Sequence, residues 1–348
     1  MKLQTLDNIE RITSPDPETF WNRYVRTRTP VIITDLYAND PIREIATQGA
    51  ARSALADLPV RVRSEYTRAY FATGKFGSDP PETTTLARYL ELVDREPRTN
   101  KVVVEDPTPD LLRKLYKHST LMASPIGLEY TFVANQGNYA HLHHDWEPDH
   151  NIIYQVFGRK RFIIIPAAQG HKLNPMFHIG TTVIEHFTPE DKLHFLRYVG
   201  AYDAVLDAGE ALFIPMLDWH HIEYVDTSMS FNVRFGRRET FGALYDALGQ
   251  RMSLHRDVKV QNIGAMLNDE LDAQPYMAQV AGLIAKIEAA PASVMGRYRF
   301  IQEAIERVHD EMCVQSREFG RYSYFPVQAK VEEIVRENLR EMGLDVES

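Results

Sequence analysis

The chain has a single cysteine, Cys313, among its 348 residues. No disulfide can form within it, and the lone thiol reads as a small apolar filler of a helix in a reducing compartment. A basic excess is missing as well: 39 lysines and arginines stand against 48 acidic residues, a formal net charge of -9. Nucleic-acid binding normally needs a basic face, so no nucleic-acid partner is expected, although a local basic pocket fits the same balance. Long apolar runs are lacking too. The longest, such as Phe162 to Pro166, have the length of a strand rather than of a membrane span. Near the start, Asp7, Glu10 and Asp16 interrupt any stretch of signal-peptide length. Internal repeats and low-complexity segments are not evident. These features predict a soluble, cytoplasmic protein with no membrane partner.

What is present supports a packed core. Hydrophobic residues make up 44% of the chain and charged residues 25%, enough for one large domain or a domain with an appendage. Asp16 to Arg26 reads as a short helix with Pro17 placed to start it, and Thr29 to Thr34 as a buried strand. Residues 40–58 look helical and 59–71 look like strand and turn. Glu82 to Arg95 contains an amphipathic helix, Lys101 to Glu105 is strand-like and 108–119 helix-like. From about residue 128 short strands follow one another at 129–135, 139–145, 151–157, 160–166, 182–186, 204–206, 210–215, 221–226 and 228–235. Glycines and prolines punctuate them, the pattern of a β-sandwich or a barrel such as a jelly roll. Beyond about residue 240 four helical stretches follow: Phe241 to Leu254, Val280 to Ala289, Val294 to Val314 and Val327 to Met342. The expected class is mainly β with helices (α+β), with a core at about 128–236 inside a domain of 1–240 and a helical region at 241–348.

Four of the thirteen histidines, His141, His143, His144 and His150, fall in one short segment. On an extended strand side chains alternate, so His141, His143 and Asp145 are expected on one face. A His-x-Asp pair on one face is two-thirds of a facial triad of two histidines and a carboxylate, which leaves open positions on an octahedral iron. The third ligand must come from far along the chain. The run from Gly209 to Val225 supplies it: a glycine turn starts a strand, Pro215 ends it, and Trp219-His220-His221-Ile222 opens the next. Alternation sends His220 and His221 to opposite faces.

Three blocks here resemble the cupin-like JmjC-type iron(II) and 2-oxoglutarate oxygenases, especially the factor-inhibiting-HIF-like hydroxylases. They are Gly137 to Asp145 with its His-x-Asp, Asn151 to Pro166 with its Asn, Gln-x-x-Gly and Lys-Arg, and Gly209 to Ile222 with its Trp-His. Phe20 to Thr34 resembles the family's N-terminal region. The resemblance implies a double-stranded β-helix (jelly-roll, cupin) core, and His143, Asp145 and His220 as ligands of catalytic Fe(II). It implies 2-oxoglutarate and O2 as co-substrates, with Lys160 on the distal carboxylate and Asn151 and Asn232 lining the pocket. Arg234 shares the face of Asn232 and is a rival carboxylate partner. Two departures stand out. Five residues separate Asp145 from Asn151 where the family usually has three. Ala140 replaces a threonine that often helps hold the co-substrate, so Tyr139 or Tyr154 must compensate.

Blander readings accompany several residues. Lys160 lies in Arg159-Lys160-Arg161, where a solvated lysine is ordinary, and Asn232 has an equal claim to a role bonded to backbone. His141 is read as a neighbour of the ligands or as substrate-facing; His171, His178, His186 and His194 as structural or exposed. The implied reaction is hydroxylation of a C–H bond in a protein, peptide or amino-acid-like substrate, with demethylation second. The rivals are a zinc hydrolase and a non-catalytic cupin binding protein. Tyr66 to Phe76 and the Trp146–His150 loop are candidate substrate walls. The C-terminal helices resemble a dimerisation region, or else pack on their own core.

Overall fold

In a computed structural model, residues 3–64, 81–122, 126–145, 149–173, 175–176, 179–180, 184–216 and 218–236 are described. The expected helices after residue 240, Tyr66 to Phe76, and residues 146–148 of the loop beside Asp145 lie outside them.

The N-terminal part supplies strands and capped helices. Strand β1 (Glu10–Ile12) precedes α1 (Pro17–Phe20), which continues as a π-helical turn over Trp21–Val25; then come β2 (Val31–Ile33), a 3-10 turn at Pro41–Ile45 and α2 (Gln48–Ala54). Asp16 caps α1 by accepting from the Thr19 amide at 2.9 Å, and Pro17 occupies the first turn, where no amide is needed. Next are β3 (Pro59–Ser64), β4 (Glu82–Thr85), α3 (Leu86–Arg95), β5 (Lys101–Pro107) and α4 (Asp110–Arg113). On α3, Leu86, Tyr89, Leu90 and Val93 are all buried, the single apolar stripe that the spacing predicts.

The remaining strands form the jelly roll: β6 (Ile126–Ala134), β7 (Tyr139–His143), β8 (His150–Phe157), β9 (Lys160–Ile165), the short β10 (Pro175–Met176) and β11 (Ile179–Gly180), β12 (Tyr202–Leu206), β13 (Ala211–Ile214), β14 (Trp219–Tyr224) and β15 (Ser228–Phe235). Helix α5 (Pro189–Tyr198) lies between β11 and β12. One sheet has the order β1-β2-β13-β8-β15-β6-β5-β3-β4, the other β10-β11-β7-β14-β9-β12. Within them, β13-β8-β15-β6 faces β7-β14-β9-β12, the eight-stranded double-stranded β-helix. The other strands extend these sheets.

Side-chain alternation sorts the core into layers. Ile32, Ile153, Leu212 and Ile214 of the large sheet meet Phe162, Ile164, Ala204 and Leu206 of the small one, filling the inside of the roll. The outer face of the large sheet packs Tyr154, Phe213, Phe231 and Val233 under Phe20, Tyr24, Tyr37 and Leu90. The outer face of the small sheet packs Leu142, Ile163, Ile165 and Trp219 under Phe195 and Leu196 of α5. Gly158 turns β8 into β9 with φ +66°, and a Cβ there would stand 2.3 Å from the Thr227 carbonyl oxygen, so only glycine fits beside Lys160's strand.

Three expectations need correction. The strand expected at 182–186 is a 3-10 turn over Ile184–His186, its first two residues lying outside the described set. The helix expected at 108–119 is helical only over Asp110–Arg113, because Tyr116 turns inward to donate to the buried carboxylate of Glu129. Helix α5 was not expected, although Thr188 caps it and Pro189 opens it. Among the described residues no helix is long and apolar enough to cross a membrane.

Candidate metal centre

The pairing of β7 with β14 builds the centre. His143 and His220 stand directly opposite one another, their ring centroids 4.3 Å apart. Asp145 follows two residues after His143, and one ligand atom from each of the three lies within 4.8 Å of the others. His143 Nδ1 is 2.6 Å from the carbonyl oxygen of His141, and His220 Nδ1 is 3.1 Å from that of Asp218. A carbonyl can only accept, so each Nδ1 carries the proton and each Nε2 keeps its lone pair for a metal. Behind His220, Arg28 donates to the Met216 carbonyl and to the Asp218 carboxylate, both at 2.8 Å, which pins the turn that offers the Asp218 carbonyl.

Asp145 is held from both sides. Its Oδ1 lies 3.9 Å from His220 Nε2 and 3.3 Å from an Arg234 nitrogen, and its Oδ2 lies 3.4 Å from Asn151 Nδ2. Burial pushes this carboxyl up, but Arg234, His220 and His143 pull harder, and it lies well below the usual carboxylate range. It is therefore ionised at neutral pH, the form in which a carboxylate can hold a metal.

Lys160 sits deeper in the same interior. Its Nζ donates to Ser230 Oγ at 2.6 Å and lies 4.3 Å from the centre of the Tyr224 ring. Its side chain is only 2% exposed, and among the described residues no carboxylate pairs with it. Burial alone lowers its pKa to about 7. A buried cation without a counter-ion is costly, and a ligand bearing a carboxylate would fit there. Ser230 spends its oxygen on Lys160 and still has a proton to donate. Ser230 and Tyr224 were missed in the sequence, although two-residue steps from Asn232 and from His220 lead to them.

The interior gathers His143, Asp145, His220, Asn151, Lys160 and Arg234, with Asn232 on the same strand face as Arg234. Asn232 Oδ1 accepts from the Tyr130 amide at 2.9 Å, the backbone-bonded role left open above. Ala140 pairs with Ile222 on the interior side.

Two side chains are displaced by a β-bulge. The register of β7 with β14 shifts between His220 and Ile222, so the strand carries an extra residue opposite His221. His141 is thereby turned away from His143 to the outer face, where its Nδ1 lies 2.8 Å from Glu185. Tyr139 pairs with Glu223 on that outer face, its ring 6.0 Å from that of His221, away from the interior face that holds His143 and His220. Tyr154 is also elsewhere, packed 5.0 Å from Tyr37 beneath the N-terminal helices. His221 points outward towards Glu223, 3.5 Å away. His150 packs among Trp21, Phe213 and Phe235 and accepts from the Met216 amide; His194 is exposed.

The model of the cupin-like domain matches residues 17–240. The chain belongs to the cupin-like domain family. Among curated proteins this family member is 26% identical over 246 residues to lysine-specific demethylase JMJ30 of Arabidopsis thaliana, which covers 65% of this chain and 54% of the relative. It is 30% identical over 103 residues to lysine-specific demethylase 8 of Xenopus tropicalis, covering 28% of this chain and 22% of the relative. It is 27% identical over 100 residues to JmjC domain-containing protein D of Dictyostelium discoideum, covering 27% and 22%. The match thus spans about half the length of the first relative and about a fifth of the other two. Iron(II) and 2-oxoglutarate, with O2, are the cofactors that this JmjC-type cupin architecture and its donor set fit.

Proposed function

We propose that this chain is an iron(II)- and 2-oxoglutarate-dependent oxygenase that hydroxylates a C–H bond of a protein side chain. The observation that carries this reading is Lys160: a buried cation with no carboxylate partner among the described residues, inside the same roll as the triad. A zinc hydrolase would use the triad and leave that cation unexplained.

His143, Asp145 and His220 would hold iron(II) in this reading, and Lys160 would bind the distal carboxylate of 2-oxoglutarate. Bound iron(II), 2-oxoglutarate and O2 together supply the oxidising chemistry. The protein's share is positional. Carbonyl oxygens of residues 141 and 218 keep both imidazoles in the metal-binding tautomer, and Asn151 orients the carboxylate. Ser230, donating beside Lys160, stands in for the hydroxyl lost at Ala140. Phe162 and Ile164 share the strand face of Lys160, with Ile222 packed against them, hydrocarbon that would limit water there.

A protein substrate is favoured by two relatives named as lysine-specific demethylases. Demethylation begins with the same step, on an N-methyl carbon. The test is to incubate purified protein with 2-oxoglutarate and either iron(II) or zinc, in air and without oxygen, and measure succinate. Succinate only with iron(II), oxygen and ascorbate as reductant supports the reading; an iron-loaded protein that forms no succinate and binds no 2-oxoglutarate refutes it.

A further inference from the structure

Arg234 stands on β15 opposite Asn151 of β8 and is 4% exposed. Its guanidinium lies 5.2 Å from the centre of the Tyr130 ring, and one nitrogen is 3.3 Å from Asp145 Oδ1. That oxygen is the one facing His220 Nε2, whereas the other belongs to Asn151. Arg234 therefore holds the carboxylate oxygen that a metal in the triad needs. A guanidinium keeps its charge at every accessible pH, so it cannot withdraw by losing a proton. Metal and arginine would crowd one oxygen and repel each other across a poorly solvated space.

We propose that Arg234 exchanges partners. Its contact with Asp145 gives way when metal takes that oxygen, and it turns to the carboxylate of 2-oxoglutarate that lies beside the metal. This rests on the co-substrate reading above. The guanidinium fork matches a carboxylate in two parallel hydrogen bonds, and any carboxylate that shares the metal with Asp145 must come close to it. Lys160 marks the opposite end of the pocket. It pairs with Tyr224, four residues along β14 from His220, which is about 13 Å of extended strand. The two buried cations thus address the two ends of one dianion, and metal and co-substrate favour each other's binding through Arg234.

The test measures two affinities on the full chain: manganese(II), as a redox-silent metal, by electron paramagnetic resonance, and 2-oxoglutarate by calorimetry on the manganese-loaded protein. Arg234→Gln is expected to bind manganese roughly threefold to tenfold more tightly, because a competitor is gone. It should bind 2-oxoglutarate roughly tenfold to a hundredfold more weakly, because a charged hydrogen-bond partner is gone. Arg234→Lys keeps the charge without the fork. It should leave manganese affinity near wild type and still weaken 2-oxoglutarate, and it carries the test if the glutamine variant does not fold. Weaker binding of both ligands would reveal a merely structural role and overturn the exchange, as would unchanged 2-oxoglutarate affinity in both variants. A wild-type protein that takes manganese but no 2-oxoglutarate would instead overturn the co-substrate reading and the exchange with it. The manganese arm then still reports separately whether Arg234 opposes the metal.

Discussion

Lys160 Nζ donates to Ser230 Oγ across 2.6 Å of buried space. The hydroxyl is neutral, so the ammonium is solvated there without being neutralised, and its pKa falls from 10.5 to about 7. The unfolded chain therefore binds more protons than the folded one between about pH 7 and 10.5. Folding stability should rise with pH across that window and carry a constant penalty of a few kcal/mol below it. Lys160→Met should flatten the rise and match or exceed the wild type in stability near pH 6, as read from urea unfolding at several pH values.

The same shift predicts how the co-substrate binds. A carboxylate that pairs with Lys160 favours its charged form, so binding takes up a proton above about pH 7. Affinity of the metal-loaded protein for 2-oxoglutarate should fall as pH climbs from 7 to 9. Calorimetry in buffers of different ionisation enthalpy would register the proton uptake.

Ser230→Ala removes the remaining donor hydroxyl beside Lys160. It should weaken 2-oxoglutarate roughly tenfold, the worth of a hydrogen bond to a charged group, and leave metal affinity unchanged. Ser230→Thr should restore most of the loss if the added methyl fits.

On the outer face of the small sheet, Arg161 grips Asp203 in a two-pronged ion pair at 2.7 and 2.8 Å, with side chains 2% and 0% exposed. Asp203→Ala leaves the arginine buried without its main partner and should cost about 3–5 kcal/mol of folding free energy, measured by urea denaturation.

The placement of the candidate ligands was legible where alternation is regular. Lys160, Phe162 and Ile164 share the interior face, and Trp219 marks His220 rather than His221 as inward, as the two-residue period requires. The period failed at His141 and Tyr139 because the bulge opposite His221 adds a residue that spacing alone cannot reveal. Arg234 was visible only as a rival for the co-substrate; its grip on Asp145 depends on the pairing of β8 with β15, a contact between residues far apart in sequence. Helix α5 carried its signature in Thr188-Pro189-Glu190, but only Phe195 and Leu196 of it are buried, too few for a clear apolar stripe.

The central claim is that the triad and Lys160 form one site for iron(II) and 2-oxoglutarate. The most direct measurement adds iron(II) and then 2-oxoglutarate to the metal-free protein without oxygen and follows visible absorption. A new band is predicted in the wild type and in His221→Ala. It should be lost in His220→Ala, and in Lys160→Ala should need roughly a hundredfold more 2-oxoglutarate. No band in a wild type that demonstrably holds iron, or an unchanged titration in Lys160→Ala, would contradict the account.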